Sequence, residues 1–179
     1  LSRSSYVGGM LRHLSSQGGI KDLQLDDKYS NTSLDLTYGV RERDMSWNVD
    51  LGVKNQVYNW YGLPTDKIFF DAATISSIDS KHSFNTIALG GKMSFKDGIF
   101  NEATMQFKRF SDGLSSGENR FFIKPNFDFE VMNQKIKADV VVDYVGGSFD
   151  RMLDVASELK YSTIIAGIKP SILYQQDEL

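Results

Sequence analysis

The stretch 46–61 constrains this chain more than any other, because it alternates without a break. Trp47, Val49, Leu51 and Val53 share one parity; Ser46, Asn48, Asp50, Gly52 and Lys54 share the other. Only an extended strand has a period of two, since successive side chains leave opposite sides of the pleat. The alternation outlasts the usual soluble strand of about 5–6 residues and ends in Tyr58, Trp60 and Tyr61. An apolar face, a charged face and an aromatic end suit a strand in the wall of a membrane barrel.

The pattern recurs along the chain. Strands are predicted over 5–14, 32–41, 46–61, 83–95, 103–110, 120–131, 136–144 and 161–174. Gly8 and Gly9 are expected to break the first. The connections 42–44, 96–100 and 132–135 are short, with Lys96-Asp97-Gly98 reading as a hairpin turn. The connections 15–31, 62–82, 111–119 and 148–160 are long, and Met152, Val155, Ala156 and Leu159 in the last are spaced for a short helix. Short turns at one end and long loops at the other are the habit of outer-membrane barrels.

Charge follows the same parity. Asp50, Lys54, Lys92, Lys108, Lys124, Asp128, Asp139, Asp143 and Lys169 fall opposite Leu34, Leu36, Val49, Leu51, Ile87, Leu89, Phe127, Val140 and Ile168. The first set is expected to face a lumen and the second to face lipid. Arg109 is the exception, near a strand end. A Lys or Arg on the lipid face costs about 2–4 kcal/mol at the midplane and much less near the interface. The expected fold is therefore all-β, an antiparallel up-and-down transmembrane β-barrel in which 1–179 supplies about eight strands of a larger barrel. The rival is a soluble, lipocalin-like barrel that binds a small molecule, with the apolar face turned inward.

Composition removes other classes. The net charge of −3 gives no general electrostatic case for nucleic acid. Without cysteine there is neither a disulfide framework nor a thiolate metal site. No apolar run approaches the roughly 18 residues of a transmembrane helix. The chain opens at Leu1 without a signal peptide, which fits a mature form or a piece of something longer.

Candidate chemistry is sparse, and no residue is nominated as catalytic, cofactor-binding or metal-ligating. Asp79, Ser80 and His82 could be imagined as a triad, but the spacing is local and loop-bound. Asp26 with Asp27, or Asp112 with Glu118, are the only calcium candidates considered, and neither matches an EF-hand loop. An envelope enzyme such as a lipid-modifying hydrolase would need a Ser and a His meeting on adjacent strands, and no such pair is predicted. Lys92, Lys124 and Lys169 recur on strands of one direction and are expected to form a basic stripe, paired with Asp128, Asp139 and Asp143. Pro125 and Pro170 fall inside predicted strands, so bulges or early ends to pairing are expected there.

Four segments carry a resemblance: 14–22, 25–36, Tyr58-Asn-Trp-Tyr-Gly-Leu-Pro and Gly146-Gly-Ser-Phe-Asp. Together they resemble a group of Bacteroidota outer-membrane proteins, often labelled TonB-dependent-receptor-like, that are plain barrels without a plug domain. The resemblance implies a porin-like or transporter-like role, or a structural subunit of an envelope complex. Its implied partners are outer-membrane lipid and other outer-membrane or periplasmic subunits. It also implies a leader before the first strand and a terminal aromatic strand after the last. This sequence shows neither, so a fragment is expected.

Overall fold

The computed structural model describes residues 4–63, 70–132, 134–150 and 158–173. They form one eight-stranded antiparallel sheet in strand order β1 to β8, each strand paired with its neighbours in sequence. The strands are β1 (Ser5–Ser16), β2 (Tyr29–Arg41), β3 (Met45–Asn59), β4 (Lys81–Phe95), β5 (Phe100–Asp112), β6 (Gly117–Val131), β7 (Gln134–Phe149) and β8 (Leu159–Leu173). The chain is thus an up-and-down meander. Among the described residues β1 and β8 are not paired, so the sheet is open.

No layer covers either face, and no apolar side chain is buried among the described residues. A soluble sheet normally packs its apolar side on a second layer. Here Leu51, Leu89, Phe107 and Phe121 of that side are all exposed.

Several boundaries differ from the sequence expectation. β1 runs straight through Gly8 and Gly9, which pair with Thr37 and Leu36. The supposed loop 111–119 contracts to 113–116, so the sorting of short and long connections has one exception. Asp112 makes that turn: its Oδ1 accepts from the backbone N–H of Leu114 and of Ser116, both at 2.8 Å. β7 extends through Gly146 and Gly147 to Phe149. The helix expected in 148–160 falls largely on residues outside the described ones.

A short helix that sequence reasoning missed, α1 (Ala72–Ser77), lies in the β3–β4 connection. Its N-cap is Asp71, whose side chain accepts from the Thr74 N–H at 2.7 Å. Hydrogen bonding from Thr74 holds the Asp71 carboxyl below the usual range. A lowered folded-state pKa means the cap contributes above the ordinary value of about 3.9 and is lost as pH falls through the folded value. Amide protection factors in 72–77, taken relative to the intrinsic exchange rate at each pH, should therefore fall in acid below about pH 4; Asp71→Ala should show that low protection at neutral pH, with the strands unaffected.

The two prolines part company. Pro170 stays in register opposite Ala138. Hydrogen-bonded and non-bonded pairs alternate along an antiparallel ladder. Following that alternation from Arg41 N–H to Ser4 O, Trp60 N–H to Ser80 O and Gly113 N–H to Ser83 O puts the Pro170 nitrogen on the outer edge of β8, where no donor is lost to the sheet. Pro125 turns its nitrogen toward β7, and the β6–β7 pairing skips Lys124 and Pro125. The bulge itself lies in β5, between Phe100 and Glu102. It puts Phe100 on the apolar side, with its ring 5.5 Å from Phe95 and 5.8 Å from Phe127. Asn101, the extra residue, donates toward Asn126 and Asp128.

Candidate functional site

Directly opposed residues of an antiparallel ladder share a face. The registers therefore carry two faces across all eight strands. The nine charged residues Asp50, Lys54, Lys92, Lys108, Lys124, Asp128, Asp139, Asp143 and Lys169 lie on one face. Leu34, Leu36, Val49, Leu51, Ile87, Leu89, Phe127, Val140 and Ile168 lie on the other.

The apolar face is a band with an edge. One rung reads Gly9–Leu36–Leu51–Leu89–Phe107–Phe121–Tyr144–Ile164. Two rungs nearer the long loops, the same face reads His13–Thr32–Asn55–Asn85–Ser111–Gly117–Ser148–Lys160, without one apolar side chain larger than the Thr32 methyl. That polar rung is tied together by His13 to Thr32 at 2.8 Å and Asn55 to Asn85 at 2.7 Å. The rung between them is apolar from Leu11 to Ile87 and polar from Arg109 to Ser162. Arg109 is therefore no anomaly. It sits at the margin of the band and donates to Asn119 Oδ1 at 3.3 Å. The apolar stretches 45–53, 87–95, 121–129, 136–144 and 164–172 are each about 27 Å long at the rise of a β-strand. A tilted strand needs about 9–11 residues to cross a bilayer core.

The opposite face is charged and partly paired. Arg12 meets Asp35 at 2.7 Å, Lys92 meets Glu102 at 2.8 Å and Lys137 meets Asp128 at 3.7 Å. Arg120 makes a two-pronged contact with Asp143, and Asp139 accepts from Asn126. The expected lysine stripe is thus corrected. Lys92 pairs with Glu102 rather than with the three named aspartates, and Lys124 and Lys169 form no ion pair among the described residues. Lys169 lies opposite Asp139 in register, but Asn126 and Arg120 reach Asp139 and Asp143 first.

Tyr58 and Trp60, at the end of β3, belong to this charged face. Tyr58 pairs with His82, on the side of Asp50 and Lys54. Its ring stacks on Phe84 at 5.5 Å, and Phe84 stacks on Phe110 at 5.8 Å. His82 lies 5.6 Å from Tyr58 and 5.0 Å from Trp60. Tyr58 thus lies on the face that its parity with Asp50 and Lys54 gives it. His82 is engaged with rings rather than with Ser80, whose carbonyl accepts from the Trp60 N–H, so no triad is assembled.

The carboxylates considered for calcium are engaged by protein groups. Asp27 accepts from the N–H of Gly19 and Ile20, Asp26 pairs with Lys28, and Glu118 accepts from the Tyr161 hydroxyl. No group of three or more His, Asp or Glu able to hold a metal occurs among the described residues. Comparison with protein-family models, with curated proteins and with solved structures finds no match in any of the three.

Proposed function

We propose that this sheet is part of the wall of a transmembrane β-barrel, with hydrocarbon against the apolar band and water against the charged face. The barrel belongs to an outer membrane and serves solute passage, or a structural place in an envelope complex. The resemblance to plugless Bacteroidota barrels belongs to the same proposal. One observation carries it. The apolar band has a sharp polar margin toward the long loops on every strand, one rung earlier on β5–β8 than on β1–β4, which suits tilted strands leaving hydrocarbon for water. The lipocalin-like reading needs the apolar face sealed inside, and the exposed rung through Leu51 and Phe121 gives it no support.

The two tryptophans make the test direct. Trp47 lies on the apolar face, paired with Val40 and Met93. In a Trp60→Phe chain reconstituted in vesicles, lipid brominated on its acyl chains should quench Trp47 strongly. Quenching instead by an aqueous quencher, with no response to brominated lipid, would remove the bilayer from the proposal.

A further inference from the structure

At the long-loop end of the wet face, Tyr29, Tyr58, Trp60 and Tyr61 line one shallow concavity with Asp27 and Asn59. Three of these rings are open to solvent: Trp60 at 66%, Tyr29 at 41% and Tyr61 at 40%. Large aromatic surfaces left exposed on a water-facing wall call for an occupant.

The backbone beneath them is fixed. Trp60 lies just past the end of β3, yet its N–H bonds to Ser80 O at 2.8 Å. Asn59 Nδ2 donates to the Lys28 carbonyl at 2.9 Å, tying the loop before β2 to the end of β3. The Leu63 N–H returns to the Tyr61 carbonyl at 3.0 Å. The main chain that carries the rings is therefore set before any ligand arrives, which lowers the entropic cost of binding.

Shape and charge narrow the chemistry. Behind the site, Tyr58 lies at 23° to Phe84 and 31° to His82, and Trp60 meets His82 at 42°. The concavity that Tyr29, Tyr58, Trp60 and Tyr61 line is shallow, a shelf rather than the cage that encloses a quaternary ammonium. The ionic groups beside the shelf are engaged by the loop itself. Lys28 is held by Asp26 at 3.0 Å, and the Asp27 carboxylate, still charged, accepts from two backbone N–H groups. What the site offers is flat apolar area rimmed by phenol hydroxyls and by the Asn59 amide oxygen. That combination fits a neutral, polyhydroxylated ring that presents C–H bonds on one side and hydroxyls at its rim.

We propose that the shelf formed by Tyr29, Tyr58, Trp60 and Tyr61 binds a neutral saccharide, one sugar ring stacked on Trp60 with its hydroxyls on the tyrosines and Asn59. The inference rests on the reading of this face as the wet one, and it names a substrate class for it. The saccharide can arrive free or as the headgroup of a glycolipid.

The test uses the full chain in detergent and then in vesicles. Trp47→Phe leaves Trp60 as the lone reporter. Titration with a neutral glucose oligosaccharide should give a saturable shift of Trp60 emission. Tyr61→Ala, outside every strand, should weaken that binding about tenfold, the order of one lost hydrogen bond together with the ring area beside it. Tetramethylammonium and an acidic oligosaccharide should give no response. A glycolipid in mixed micelles that binds while free sugar does not would place the ligand in the membrane leaflet and still support the shelf. No response to either neutral sugar form, or a response that survives Tyr61→Ala unchanged, would overturn it. Brominated-lipid quenching of Trp47 reads the bilayer face independently, so loss of the sugar site and loss of the barrel reading give different results.

Discussion

With hydrocarbon against the apolar band, as proposed, Leu51→Arg should destabilise the protein by about 2–4 kcal/mol, while Asp50→Arg, one residue earlier, should be tolerated. Leu51 sits between Leu36 and Leu89 on the all-apolar rung, well inside the band. Asp50 sits between Thr37 and Gly90 on the charged face, where its carboxylate takes a hydrogen bond from Asn48 at 2.6 Å. The measurement is reversible denaturant unfolding in lipid vesicles, with heat-dependent gel mobility as a check on insertion. Arg109 supplies the internal comparison. Moving a cation one further rung into the band, as in Phe107→Arg, should cost more than the native Arg109 does at the margin. Equal tolerance at positions 50 and 51 would mean that the two faces meet the same solvent.

The second large effect is expected at Gly39. It pairs with Tyr6 and Asn48 on the wet face and is buried. What buries it is the Tyr6 ring, which occupies the space where a Cβ would go. The Arg41 guanidinium lies 5.1 Å from the centre of the same ring. An aromatic ring laid over a glycine on the facing strand is a known device for pinning register at a sheet edge. Gly39→Val must expel that ring and should cost about 1–3 kcal/mol. The cost should fall mainly on β1, whose sole partner is β2 among the described residues. Adding Tyr6→Ala should recover much of the loss, so the double-mutant cycle should show coupling. Additive losses would mean that Tyr6 and Gly39 do not share one volume.

Which residues share a face was legible in the sequence, because parity needs only one strand at a time. Trp47 to Val53 declared it, and pairing adds nothing to that statement. The polar rung was not legible. His13, Thr32, Asn55 and Asn85 each look like an ordinary end to an apolar run, and only register shows that they lie side by side. Boundaries failed where local chemistry contradicted composition. The segment 111–119 reads as a loop because it is rich in Gly and Ser, yet Asp112 folds it into a tight turn. Gly146 and Gly147 lie past the end of the strand predicted over 136–144, yet they belong to β7 opposite Asn119 and Glu118, where small residues permit close backbone approach. The aromatic shelf was half legible. Tyr58 has the parity of Asp50 and Lys54, which already assigned it to the charged side, but its stacking on Phe84 across the strand pair depends on register.

The open margins carry an arithmetic consequence. β1 and β8 run in opposite directions, and each turns outward the N–H and C=O groups of residues from the apolar face. A cylinder that uses both margins must contain an even number of staves, because a single stave inserted between them could not run counter to both. The stave laid against β8 also meets Pro170, which offers it no hydrogen to bond. If the sheet closes as proposed, one carbonyl at that joint is left to find its donor elsewhere, which gives the seam a fixed weak point.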